Sequence, residues 1–171
     1  QVRGAIVEGV AAFKCIPYGA PTTGANRFIP PRRPTPWAGV RDALEYTGHA
    51  PQQGLRPATR PELADFSGPP DTSPESEDCL TLNVWSPGLD QAKRPVMVWF
   101  HGGGQRTGSG NSIFYDGTEL ARKHDVVVVT VTHRLNALGY LWLAGLPGIS
   151  ERFARSANLP LADLVLALEW V

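Results

Sequence analysis

The five residues VMVWF at 96–100 and the HGGG at 101–104 that follows them decide how this chain folds. An unbroken apolar run is typical of a strand buried on both faces, as in parallel sheets covered by helices. Glycines directly after such a strand let the chain turn and leave backbone N–H groups open to a cleft. In acyl transfer, each preorganised donor that matters stabilises the oxyanion by about 3 kcal/mol. The pattern therefore predicts an oxyanion loop, and a flexible glycine turn between two strands is the alternative.

Other segments around this strand predict the rest of an α/β fold. LTLNVW at 80–85 alternates apolar and polar residues, and VVVVTV at 126–131 is almost entirely β-branched, so both are predicted strands. The segment 117–124 between them is a predicted short helix. Residues 2–18 are predicted to form a hairpin that turns at Glu8 and Gly9. We expect this antiparallel hairpin to enter a mostly parallel central sheet with flanking helices.

The end of the chain predicts one more helix, over residues 160–171. Pro160 suits its first turn. No helix-stop signal precedes Val171, so we expect the domain to continue beyond this residue. The proline-rich segment 51–74 is predicted to be an exposed excursion and the least ordered part of the chain. One stripe of the helix carries its apolar residues at i, i+3, i+4 and i+7, namely Leu161, Leu164, Val165 and Leu168.

Composition excludes several classes of function for the 171 residues. Lys and Arg total 16 and so do Asp and Glu, and this balance is unlike that of proteins that bind nucleic acids or anionic membranes. With 42% hydrophobic and 19% charged residues, the chain is typical of one globular domain. No apolar stretch reaches the roughly 20 residues that a membrane span needs. No signal peptide is visible, so secreted and cytoplasmic locations and every oligomeric state stay open.

Five blocks of sequence, in this order along the chain, resemble the N-terminal part of the type-B carboxylesterases. This family includes the cholinesterases and bacterial esterases and belongs to the α/β-hydrolase superfamily. The resemblance spans nearly the whole chain. The blocks are FKCIPYGAPTTGANRF at 13–28, SEDCLTLNVWSP at 76–87, RPVMVWFHGGG at 94–104, VVVVTVTHRLNALGYL at 126–141 and ADLVLALEWV at 162–171.

The resemblance implies a carboxylic ester hydrolase that works through a serine acyl-enzyme and a Ser-His-acid triad, on small-molecule ester substrates and without metal or organic cofactor. In its oxyanion hole, the amides of Gly103 and Gly104 would act with one amide that follows the nucleophile. None of the serines in the chain lies in a GxSxG nucleophile elbow. We therefore expect residues 1–171 to be the N-terminal part of a single α/β-hydrolase domain that ends before the nucleophile and is inactive alone.

The resemblance also implies two structural ion pairs, Arg134 with Asp163 in the interior and Arg27 with Glu77. His101, at the start of the glycine loop, is predicted to be structural rather than a general base. His49 and His124 are predicted to lie on the surface. The candidate pocket residues are Gln105, Phe114 and Tyr115, whereas Trp99 and Phe100 are predicted to belong to the sheet core.

Several residues depart from the family pattern, and most of the departures replace glycines. Cys15, Ala157 and Pro160 stand where the family has glycine, and Gln105 stands where it has an aromatic residue. If those glycines have positive φ, each side chain there costs on the order of 1 to 2 kcal/mol. The departures keep open an alternative function, a cholinesterase-like binding or adhesion module without catalysis.

Two expectations concern single features of the chain. Cys79 is predicted to be a free, buried thiol, and a Cys15–Cys79 disulfide is the alternative. Because further strands are expected to be missing, the last apolar strand, at 126–131, is predicted to be an open edge. An open apolar edge predicts aggregation or a molten state of the isolated chain.

Overall fold

A computed structural model describes residues 1–52 and 71–171 of the chain. The predicted hairpin and the predicted strand, strand, helix, strand order of the second half are confirmed. The strands are β1 (Val2–Arg3), β2 (Ala5–Val7), β3 (Val10–Pro17), β4 (Arg41–Asp42), β5 (Thr81–Ser86), β6 (Val96–Phe100) and β7 (Val127–Val131). The helices are α1 (Thr118–His124), α2 (Asn136–Tyr140) and α3 (Leu159–Trp170).

Five of the strands form a mixed sheet in the order β2-β3-β5-β7-β6. The β6 and β7 strands pair in parallel, from Val96 opposite Val127 to Phe100 opposite Val131. The other three pairings in this sheet are antiparallel. Within this sheet the one parallel pairing of the described residues is therefore that of β6 with β7, and the α/β class is confirmed. β1 and β4 form a separate two-stranded parallel sheet.

Helices cover both faces of the five-stranded sheet. On one face, Ala121 of α1 packs with Trp85 and Val128. On the other, Ala167 of α3 packs with a larger apolar cluster that includes Leu82 and Val131. Alternate residues of β5 and β7 thus enter opposite layers, as the period of a strand requires. This arrangement fixes the ends of β6 and β7, from which the candidate site is built.

The prediction that β6 is buried on both faces is wrong, and so is the assignment of Trp99 and Phe100 to the sheet core. Trp99 is 45% exposed and Phe100 is 37% exposed. The reason is the strand order, because β7 lies between β5 and β6 and leaves β6 with one strand partner among the described residues. Among the described residues, the edge strands of the sheet are therefore β2 and β6, and not the last apolar strand, β7.

The predicted helix at the end of the chain is confirmed as α3, but most of its apolar stripe points away from the core. Leu161 and Val165 are each 57% exposed, and Leu168 is 51% exposed. Leu164 is partly buried against the main cluster. The orientation of α3 follows from Asp163, which faces the interior and meets a buried arginine there. The buried residues of α3 are Leu159, Pro160, Asp163 and Ala167.

The predicted excursion at 51–74 lies mostly outside the described residues. Its two flanks are described, and they pair through an isolated bridge between His49 and Glu75. Among residues 1–52 and 71–171, no helix combines the length and the apolar character needed to cross a membrane.

Candidate oxyanion loop and its cavity

The loop from His101 to Gly108 leaves the carboxyl end of β6 and folds back tightly on itself. The carbonyl of Gly103 accepts hydrogen bonds from the N–H groups of Arg106 and Thr107, each at 3.2 Å. Gly103 has a φ of +125°, and a Cβ at this position would collide with the carbonyl oxygen of Thr107. Only glycine fits this point of the loop, since both the backbone angle and the space exclude a side chain.

The N–H groups of the three glycines at 102–104 lie at the start of this loop. Within residues 1–52 and 71–171, none of these three N–H groups donates to a protein acceptor. The loop borders a cavity of about 260 Å³. Free amides beside a cavity are the arrangement that an oxyanion hole needs. The cavity is lined by Phe100, His101, Gly102, Gly103, Gly104, Gln105, His133, Leu135, Tyr140, Pro160, Leu161 and Leu164.

Two stacked histidines form one wall of this cavity. The rings of His101 and His133 are nearly parallel, with centroids 4.5 Å apart. The Nδ1 atom of His101 lies 2.8 Å from the carbonyl oxygen of Gly102, so its N–H donates to that oxygen. Burial, followed by the nearby His133, lowers the pKa of His101 to about 4. His101 is therefore neutral near pH 7 and holds the first glycine of the loop.

The candidate pocket residues divide between two places. Gln105 lines the cavity and has a φ of +65°. Phe114 and Tyr115 lie in a short 3₁₀ turn, Ile113–Tyr115, and are not among the residues that line the cavity. Phe114 is 59% exposed, and the ring of Tyr115 lies 5.4 Å from that of Trp99.

Both ion pairs that the resemblance implies are present, in different surroundings. Asp163 accepts from the guanidinium of Arg134 at 2.6 and 2.9 Å, and the two side chains are 0% and 2% exposed. Arg134 also donates to the carbonyl of Ile29 at 2.8 Å. Arg27 forms two hydrogen bonds with Glu77, and these side chains are 44% and 20% exposed. The Arg134 pair joins the segment that follows β7 to α3.

His49 is buried, so the prediction that it lies on the surface is wrong, while His124 is exposed as predicted. The Nδ1 atom of His49 lies 3.1 Å from Ser73 Oγ and 3.5 Å from a carboxylate oxygen of Asp71. A catalytic triad needs the serine and the acid on different ring nitrogens. This group, in which both oxygens face Nδ1, is therefore a structural contact and not a second active site.

The replaced glycines have different consequences. Cys15 has a φ of +53° at a bulge of β3, so its side chain carries backbone strain. Its N–H donates to Asn83 Oδ1 at 2.8 Å. Ala157 and Pro160 lie in helical turns without positive φ and carry no such strain. Cys15 and Cys79 are both free and buried, and this confirms the free thiol at Cys79 and excludes the alternative disulfide.

Sequence reasoning missed the polar side chains that hold the return arm of the loop. Asn83, buried between β3 and β7, donates to the carbonyl of Gly110 at 3.1 Å and to Thr130 Oγ1 at 2.9 Å. Gln52 and Asn136 hold residues 105–108, nearer the glycines. These contacts join residues far apart in the chain, and no local spacing signals them.

The sequence profile of the carboxylesterase family matches residues 1–171, the whole chain. The chain belongs to the carboxylesterase family. This carboxylesterase-family chain is 40% identical to phenmedipham hydrolase of Pseudarthrobacter oxydans and 39% identical to para-nitrobenzyl esterase of Bacillus subtilis. Both alignments cover all of this chain and 32% of the relative.

A solved esterase from the anaerobe Clostridium hathewayi, described as hydrolysing aliphatic aromatic polyesters, has the same fold. It superimposes with a TM-score of 0.86 at 44% identity, over 99% of this chain and 32% of the other. The α/β-hydrolase fold of the carboxylesterases therefore describes the chain. The chain spans about a third of the length of these relatives.

Proposed function

We propose that this chain supplies the glycine loop of the oxyanion hole of a serine carboxylic ester hydrolase. The observation that carries the proposal is the row of free N–H groups at Gly102–Gly104 beside the cavity. The amides of Gly103 and Gly104 would donate to the former carbonyl oxygen of the ester as negative charge develops on it. Membership of the carboxylesterase family supports the same reaction class.

In this proposal, residues outside the 171 supply the triad. Their serine Oγ forms a bond to the ester carbonyl carbon, its proton passes to the triad histidine, and the carbonyl oxygen becomes the oxyanion. Collapse of this intermediate breaks the bond to the alcohol, which leaves with the proton from the histidine. Water then cleaves the acyl-enzyme in the same way. The missing GxSxG and the coverage of 32% of each relative support this division of roles.

The cavity walls support a small, mostly apolar ester as the substrate. Leu135, Leu161 and Leu164 supply apolar surface, and Gln105 and the two stacked histidines supply the polar groups. Apolar walls around few polar groups are typical of sites for small organic molecules. The name of one relative, para-nitrobenzyl esterase, makes p-nitrobenzyl esters and the similar p-nitrophenyl esters suitable first substrates.

Steady-state kinetics of the gene product that extends past Val171 test the proposal. We expect Gly103→Ala to lower kcat by about 100-fold or more, because the substitution displaces an oxyanion donor. Gly39→Ala is the matched control, since Gly39 also has a positive φ, +74°, but contacts nothing near its Cβ position. This control should stay within about twofold of the unsubstituted enzyme.

Two results would contradict the proposal. One is unchanged kcat in Gly103→Ala, which would mean that this amide does not bind the oxyanion. The other is Gly or Ala at the nucleophile position of the gene product, which would favour the non-catalytic binding module instead. Ester turnover by the purified 171-residue chain would contradict the assignment of the triad to residues outside it.

A further inference from the structure

The side chain of Gln52 holds the far end of the oxyanion loop through both atoms of its amide group. Its Oε1 atom accepts from the N–H of Gly108 at 2.7 Å. Its Nε2 atom donates to the carbonyl of Gly108 at 2.9 Å and to the carbonyl of Ala50 at 3.2 Å. Gln52 therefore mimics a backbone partner for Gly108 and satisfies the donor and the acceptor of that residue together.

The side chain of Asn136 holds the middle of the same loop. Asn136 begins α2 with a φ of +53°, a conformation that asparagine tolerates better than most residues. Its N–H donates to the carbonyl of Gln105 at 3.0 Å. Its Nδ2 atom donates to the carbonyl of Arg106 at 2.9 Å and to that of Pro51 at 3.2 Å.

Gln52 and Asn136 together form what we call the loop clamp. The clamp engages the carbonyls of Gln105, Arg106 and Gly108, while the carbonyl of Gly103 is engaged within the loop. These carbonyls of the loop are thus held by protein donors, whereas the N–H groups of Gly102, Gly103 and Gly104 have no protein acceptor among the described residues. A rigid loop with free donors is what electrostatic preorganisation requires.

The clamp acts directly on the glycine turn because Gly108 touches the start of the loop. A Cβ at Gly108 would collide with the Nδ1 atom of His101 and the carbonyl oxygen of Gly102. The two ends of the loop are therefore packed against each other. A shift of Gly108 would carry Gly102, and with it the amides of Gly103 and Gly104, away from their present positions.

We propose that Gln52 and Asn136 are positioning residues that set the two oxyanion amides for catalysis. This inference rests on the proposed function of the loop. Neither residue lines the cavity, so neither is expected to touch the substrate. Their effect reaches the reaction only through the loop, where a displacement near 1 Å can cost about 100-fold in rate.

The test uses the gene product that extends past Val171, with Gln52→Glu and Asn136→Gly. Gln52→Glu keeps the shape and the acceptor toward the Gly108 N–H but loses both donated hydrogen bonds. Asn136→Gly keeps the positive φ at no steric cost and removes only the side-chain contacts. Gln91→Ala, at an exposed site between β5 and β6, is the matched control.

We expect kcat, per active site titrated with a phosphonate ester, to fall by about 10-fold to 100-fold in both variants. KM should change by less than about threefold, because the amides bind charge that exists only in the transition state. The Ki of a trifluoromethyl ketone, which forms a tetrahedral oxyanion with the serine, should rise by the factor by which kcat/KM falls. A merely structural role would lower the melting temperature or the number of active sites without moving this Ki.

Unchanged kcat per active site and unchanged Ki in both variants would overturn the proposal. The Gly103→Ala variant, measured in parallel, separates this failure from a failure of the proposed function. If Gly103→Ala is impaired and the clamp variants are not, only the clamp proposal is wrong. If Gly103→Ala is also unimpaired, the oxyanion assignment itself is wrong.

Discussion

The neighbouring strands β6 and β7 are similar in sequence and opposite in burial. β7 reads VVVTV and β6 reads VMVWF, and they pair residue by residue in parallel. In β7, Val128, Val129 and Val131 are at most 3% exposed, whereas Val96 and Met97 of β6 are 47% and 45% exposed. An apolar run thus determines that a strand forms, but the position of the strand in the sheet determines how much of it is buried.

The two ion pairs show the same contrast in charged residues. The Arg134–Asp163 pair is almost fully buried, and the Arg27–Glu77 pair is partly exposed. Burial raises the cost of losing one partner, because the remaining charge has neither water nor a counter-ion. We therefore expect the loss of one partner to destabilise the chain far more in the buried pair than in the partly exposed pair.

Breaking the buried pair should have the largest effect. We expect Asp163→Asn to lower the free energy of unfolding by about 3 to 5 kcal/mol, because it leaves Arg134 charged and unpaired in the interior. Glu77→Gln, the matched change in the partly exposed pair, should cost less than about 1 kcal/mol. Urea unfolding of the gene product that extends past Val171, followed by tryptophan fluorescence, measures both. Equal losses of unfolding free energy in the two variants would contradict the difference in burial between the two ion pairs.

Matched truncations in the two strands sharpen the comparison directly. Val129→Ala removes two buried methyl groups from β7 and should cost about 2 to 3 kcal/mol, including the cavity that it leaves. Val96→Ala in β6 should cost less than about 1 kcal/mol, since nearly half of that side chain is already exposed. The same urea titrations apply. A larger loss from Val96→Ala would mean that β6 is covered in solution.

The free energy of unfolding should also decrease as the pH falls, because His101 is held neutral in the folded chain. Its pKa in the folded chain is about 4, below its ordinary value of about 6.5, so the unfolded chain binds the proton more readily. The contribution of His101 to stability is therefore complete above about pH 6.5 and decreases as the pH falls toward 4. His101→Gln should remove about 2 kcal/mol of the stability difference between pH 7 and pH 5. An identical pH dependence in this variant would exclude His101 as its cause.

The smallest effect on stability is expected at the exposed edge. Met97→Lys places a charge on β6 where the wild-type side chain is 45% exposed, so unfolding should change by less than about 0.5 kcal/mol. The same charge should reduce self-association of the isolated chain, because charged edges resist pairing with other strands. Sedimentation velocity measures the association. A wild-type chain that stays monomeric and unfolds cooperatively would contradict the expected aggregation.

Local sequence patterns predict which helices and strands form better than they predict how deeply each element is buried. The hairpin, the strands β5 to β7 and the helices α1 and α3 follow from alternation, β-branching and helical spacing within short segments. The burial of β6 depends on β7 lying between it and β5, and no pattern within β6 contains that order. The outward stripe of α3 has a similar cause, since the partner of Asp163 lies 29 positions away.

The candidate site shows the same difference between local and long-range features. The glycine loop could be found from its residues, because its chemistry is confined to four consecutive positions. The side chains that hold the loop could not, because Gln52 and Gly108 are 56 positions apart in sequence. The burial of His49 could not be predicted for a related reason, since its partner Ser73 is 24 positions away in the sequence.

The reactivity of the buried Cys79 thiol can measure how often the folded chain opens. Its side chain is 0% exposed, and burial raises the pKa of its thiol to about 12. Because the thiolate is the reactive species, alkylating reagents should modify this thiol only in molecules that have opened. The rate at which the reagent labels Cys79 therefore reports how often the interior becomes accessible to water in the absence of denaturant.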